Sequence, residues 1–266
     1  MIAALPSIDD RAHLSFTRVI DSERIKFTTL RSNPVTLLIV FAAVAGLGLL
    51  TAVAAAGAND AAHRAGILPG DLLGNVSWIQ IITAILGVLF IASEYTSGSA
   101  RTTFLAVPTR VPVLLAKLLV LACAVFITGV AGAVAAVLGG TAILHQSSIE
   151  LVLAPPITLQ LIVGAGLYLA TTAILSLALG AIIRNVVGGI LAAIGLLLVA
   201  PLLLGIVPVD WIHRAASFLP APAGQLILAP ENVGAALTPW GGYLVLLAWT
   251  VCATILAAIL LVGRDV

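Results

Sequence analysis

Six long apolar stretches dominate this chain, and nearly all of its Lys and Arg residues fall on one side of them. Hydrophobic residues make up 61% of the chain and charged residues 9%, against about 25% charge in a soluble domain. Such a chain cannot keep its surface in water, so lipid becomes its solvent. A helix of about 20 apolar residues crosses a hydrocarbon core of about 30 Å. The stretches predict spans near 34–56, 76–93, 112–138, 156–183, 186–207 and 239–262. The expected fold is all-α, with a six-helix transmembrane domain over 34–266 behind an N-terminal segment over 1–33. The third and fourth stretches are long enough to tilt or project. The runs are continuous rather than alternating, which favours helices over barrel strands.

The basic residues set the orientation. An even number of spans leaves both termini on one side. That side collects Arg11, Arg18, Arg24, Lys26, Arg31, Arg101, Arg110, Lys117, Arg184 and Arg264, leaving Arg64 and Arg214 opposite. The positive-rich side is expected to be cytoplasmic, at the plasma (inner) membrane. No secretory signal peptide is expected, because the first apolar run begins only near Val35 and no small-residue cleavage site follows it. Asn33 before Pro34 and Thr238 before Pro239 read as N-caps of the first and last spans. Trp78, Trp211 and Trp240 suit the headgroup layer. Cys123 and Cys252 read as small buried apolar residues.

Little chain lies outside the spans, and no piece can bury a core of its own. In the N-terminal segment, Phe16, Val19, Ile20, Phe27 and Leu30 share one helix face, with Arg18, Asp21, Ser22 and Arg24 opposite. Ile25 breaks the pattern. An amphipathic helix along the membrane surface is expected, displaying Glu23, Lys26 and Arg31. After the second span come Glu94, Tyr95, Gly98 and Arg101, then Pro108 and Arg110. This polar run reads either as a short helix parallel to the membrane or as an ordinary loop. Glu94 sits where the apolar residues end and needs a partner, with Arg101 or Arg110 as candidates. The connection through Phe218–Gln225 is apolar but broken by Pro and Gly. It reads either as a re-entrant segment or as an apolar surface loop.

Several chemistries are absent. Lys26 and Lys117 are the two lysines, and neither follows a glycine, so the chain holds no phosphate loop of an ATPase. No His lies inside a span, and no zinc or nucleophile-elbow motif is present. Catalytic, cofactor and metal residues are therefore not expected, nor is a nucleic-acid partner. Mid-span carboxylates, the usual mark of ion-coupled carriers, are also missing. Lys117 lies within two turns of its span end, where its amine can snorkel out. The span interiors offer Gln80, Thr83, Thr128, Gln160, Thr171, Thr172 and Ser176, with small-residue pairs at Gly129–Ala133 and Gly188–Ala192.

Three segments resemble a known family. Ser22 through Ser32 is similar to the N-terminal helix of type-2 ABC transporter permeases of the six-span, actinobacterial-like kind. Glu94-Tyr95-Thr96-Ser97-Gly98-Ser99-Ala100-Arg101, with Pro108 and Ala116-Lys117, resembles that family's cytoplasmic coupling segment, although Ser99-Ala100 is slighter than usual. Leu219-Pro220 through Ala223-Gly224 resembles its external re-entrant region. The resemblance implies a permease subunit with no ATP site of its own. A separate ATPase subunit, binding ATP and Mg, would dock against Glu94, Tyr95, Gly98, Arg101 and Arg110 and the N-terminal helix. A second permease copy or a sibling permease would complete the transporter, and the usual direction is export. Two other readings stay open: a membrane scaffold or immunity protein that binds a partner without transport, and a lipid-acting membrane enzyme.

Overall fold

The computed structural model describes residues 16–57, 69–96, 110–147, 149, 155–229 and 237–263. Among these residues every regular element is helical. Helix α1 covers Phe16–Thr29, α2 Ser32–Ala56, α3 Pro69–Leu73, α4 Val76–Thr96 and α5 Arg110–Gln146. Helix α6 covers Pro155–Ile183, α7 Val186–Ile206, α8 Asp210–Ala216, α9 Pro220–Gln225 and α10 Pro239–Gly263. Six of them, α2, α4, α5, α6, α7 and α10, are long and apolar enough to cross a membrane, which suggests a multi-pass membrane protein.

The bundle is built around α6. Its Leu161, Ala165, Tyr168, Leu169, Ala173, Leu175, Leu177 and Ala178 are all fully buried, as expected of a helix that is apolar all round. Small residues set the crossings, because lipid gives helices no hydrophobic reason to associate and close backbone approach must supply the attraction. A Cβ placed on Gly87 of α4 would collide with the Ala173 carbonyl oxygen of α6. Gly129 of α5 meets the backbone of Gly166, so the small pair Gly129–Ala133 does face a neighbour. In α7 the contact falls one residue later than expected. Gly189 and Ala193 are buried against the bundle, whereas Gly188 sits over the turn that starts its own helix.

Four other expectations need correction. Helix α5 runs on through Gly139 and Gly140, well past the expected end near 138. These glycines do not stop the helix; they let it approach Leu49 of α2 and Leu72 of α3. Leu144 beyond them is buried with Ala52, Leu72 and Ile149. Asn33 is not an N-cap, because α2 already begins at Ser32. Its buried amide instead donates to the Phe27 carbonyl (3.0 Å) and locks the α1–α2 corner. Cys123 and Cys252 are exposed on the outside of the bundle rather than buried. Lys117 does not snorkel, as described below. By contrast, Thr238 does cap α10, accepting from the Gly241 N–H at 3.0 Å.

Helix α7 carries a wide π turn over Gly195–Val199. Pro201 lies just beyond and cannot donate to the Leu197 carbonyl, so the backbone widens where that bond is missing. Helix α9 packs against α10 at the far end of the bundle from α1, with Pro220, Ala221, Ala223 and Gly224 buried.

A four-charge junction as the candidate functional site

The feature that stands out in this apolar bundle is a cluster of four charges where α1, α4 and α5 meet. Helix α1 turns Val19, Glu23 and Phe27 inward, one turn apart on one face. Val19 packs with Val113 and Ala116 of α5, and Phe27 meets Phe90 of α4 edge-on with ring centroids 5.0 Å apart. This stripe is narrower than the sequence pattern implies, since Phe16 and Leu30 are exposed. It also places a carboxylate, 1% exposed, between two apolar contacts.

The Glu23 carboxylate is satisfied on both oxygens. Lys117 of α5 donates to Oε2 at 2.6 Å, and Lys26, one turn along α1, donates to Oε1 at 2.7 Å. Lys117 also donates to Glu94 Oε1 of α4 at 2.9 Å, and Lys26 reaches the same oxygen at 3.5 Å. An ammonium has three donors. Lys117 uses two on carboxylates, and its Nζ lies 4.1 Å from the centre of the Phe90 ring, whose face attracts a cation. The cluster therefore carries two negative and two positive charges, with its inner members closed off from solvent.

Burial at such a site favours neutral groups, so the pairing must outweigh it. At Lys26, desolvation pulls the amine pKa down. The hydrogen bond it donates to Glu23 and the charge of Glu94 push harder and hold it above its ordinary value of 10.5.

The structure thus joins Glu23, Lys26 and Glu94 but gives them a partner the sequence reading had sent elsewhere. Lys117 is 2% exposed and points inward; two carboxylates within bonding distance hold it better than a snorkelled position would. The signal was available: a lysine two turns inside a span demands a carboxylate, and both lysines of the chain lie in this one cluster. Tyr95 sits beside Glu94 and carries the Arg184 guanidinium over its ring at 5.5 Å. Arg31 is exposed at the start of α2 and makes no side-chain cap bond. Gly98 and Arg101 lie outside the described residues, as does the side chain of Arg110, the first residue of α5.

The opposite end of the bundle holds a second polar cluster without charge. Tyr168 of α6 donates to Gln80 Oε1 of α4 at 2.5 Å, and Gln225 of α9 donates to the Tyr168 hydroxyl at 3.2 Å. This chain of bonds ties α9 to the bundle beside an open crevice of about 300 Å³ lined by Trp78, Leu197, Pro201 and Gln225 among others. No protein-family model matches the chain, and no curated protein matches it either.

Proposed function

We propose that the chain is the membrane-spanning permease subunit of an ATP-driven ABC transporter, exporting a hydrophobic or amphipathic cargo such as a drug, peptide or lipid. The observation that carries this reading is the junction of Glu23, Lys26, Glu94 and Lys117. It fastens a non-spanning helix to two spans near the last turn of α4 and the first turns of α5. A force applied there reaches α4 and α5 together, as an external motor requires. The span interiors support the cargo class, with buried hydroxyls and amides at Gln80, Thr83, Thr171, Thr172 and Ser176 but no mid-span carboxylate among the described residues.

In this reading the α1 end is cytoplasmic and the protein sits in the plasma membrane. Helix α1 is the amphipathic interface helix, the segment after Thr96 couples to a separate ATPase that holds ATP and Mg, and α8–α9 form a re-entrant element. A second copy or a sibling permease completes the channel. The chain itself performs no hydrolysis.

The test is a pull-down of the tagged chain in mild detergent with an ATPase assay on the eluate. A co-purifying ATPase, lost or uncoupled by Glu94→Ala or Arg101→Ala, is the expected result. Absence of any ATPase from the wild-type chain under gentle conditions sinks the proposal in favour of a membrane scaffold.

A further inference from the structure

We infer that Arg184 is a binding site for the phosphate of an anionic phospholipid in the leaflet at the α1 end. Arg184 occupies the two-residue link between α6 and α7, directly after the last apolar turn of α6. That position puts it at the depth of lipid headgroups. Its backbone is left-handed, with φ of 56°, a conformation disfavoured for any residue with a Cβ. Two bonds hold the link: Arg184 N–H donates to the Gly180 carbonyl at 2.9 Å, and Asn185 Oδ1 accepts from Gly188 N–H at 2.9 Å. The turn lays the guanidinium across the ends of two other helices. It lies over the Tyr95 ring of α4, 5.5 Å from its centre, and donates from Nη2 to the Leu260 carbonyl of α10 at 3.2 Å.

These contacts orient the group without neutralising it. A guanidinium has five N–H donors. One, on Nη2, reaches the Leu260 carbonyl; Nε is buried without a partner and out of a ligand's reach, so Nη1 and the second N–H of Nη2 are the donors left for one. The helix ends nearby offer partial negative charge, which suits a cation but leaves these donors unfilled. Among the described residues no carboxylate pairs with Arg184. Glu23 and Glu94 are drawn to the lysines, Asp21 to Arg24, and Asp71 and Asp210 belong to the opposite end of the bundle. A planar cation held over a ring, with spare donors, matches a phosphate, which accepts two N–H bonds side by side. The flanks favour a lipid over a free anion. Ile183 is 38% exposed and Val187 66% exposed on either side of the link, offering apolar surface to acyl chains beside the headgroup. The inference needs the membrane but not the transport reading.

Native mass spectrometry of the full chain, equilibrated with phosphatidylglycerol and phosphatidylcholine, tests it. Wild type is expected to retain phosphatidylglycerol preferentially. Arg184→Gln should lower that retention about tenfold, the worth of a charge-assisted bond, and Arg184→Lys should fall between. Tyr95→Leu, which leaves the cation but removes the ring that orients it, should lower retention severalfold and guards against a fold defect in the Arg184 variants. Circular dichroism checks that each variant keeps its helices. Unchanged preference in Arg184→Gln and Tyr95→Leu overturns the inference. So does displacement of the lipid by millimolar inorganic phosphate, which would make the site one for the free anion.

Discussion

The two ends of the bundle each hold a short element against the spans, and they do it by opposite means. At one end α1 is fastened by four charges, two of them nearly inaccessible. At the other, α9 is fastened by neutral groups, Gln225, Tyr168 and Gln80, and by close packing on α10. The neutral arrangement is tolerant, since losing one bond strands a dipole. The charged arrangement is unforgiving, since losing one partner strands an ion. The charged end therefore fixes the position of α1 more strictly than the neutral end fixes that of α9.

The sharpest way to break this contrast is at Lys117. Lys117→Met should destabilise the protein by about 3–5 kcal/mol, because among the described residues the buried Glu23 then keeps only the partly exposed Lys26. Thermal unfolding in detergent reads the loss. Adding Glu23→Leu to the same chain should recover much of it, since removing both buried charges removes the stranded one. A double variant no better than Lys117→Met would show that the junction contributes through shape rather than charge.

The neutral end has its own weak point in packing. A Cβ on Gly242 would collide with the Ala223 carbonyl oxygen of α9, a backbone atom that cannot rotate away. Gly242→Ala should therefore cost about 1–3 kcal/mol and loosen α9 rather than the whole bundle. Hydrogen exchange confined to 217–229 is the expected signature, and faster exchange throughout α6 would contradict it. Tyr168→Phe is milder. It leaves Gln80 Oε1 buried without its donor, worth about 1–2 kcal/mol, and the melting temperature should fall less than for Lys117→Met. An equal or larger fall would erase the distinction between the two ends.

How far these features were legible in the sequence follows the same divide. The spans were readable because apolar runs of this length have one solution in lipid, and five of the six structural helices end within a few residues of expectation. The sixth, α5, overran because Gly139 and Gly140 look like stops in one dimension and are contact surfaces in three. Glu23, Lys26 and Glu94 were singled out by residue type and place. Their meeting at Lys117 depends on how α1 folds back against α5, which no local pattern encodes. Asn33 went wrong for the same reason, because its amide answers a carbonyl six residues back. The Tyr168–Gln80–Gln225 chain joins three helices far apart in sequence and left no spacing to read.

The smallest expected effect is at Lys26, and it separates the rim of the junction from its centre. Lys26 is 39% exposed, so solvent screens it, and Lys26→Gln should cost only about 0.2–1 kcal/mol. Its pH dependence has a definite sign. The folded protein holds the Lys26 proton more tightly than the unfolded chain does, because Glu23 and Glu94 outweigh the desolvation that pulls the other way. The contribution is therefore complete at pH values below 10.5 and fades only as pH climbs through the raised value. Melting curves of wild type and Lys26→Gln should differ by a constant amount through the neutral range and converge in strong alkali. High salt should narrow the gap at neutral pH while leaving the Lys117→Met penalty nearly unchanged, because buried pairs are screened much less than exposed ones. Equal salt sensitivity in the two variants would mean that Lys117 is as open to water as Lys26, and the charged end would then hold α1 no more firmly than the neutral end holds α9.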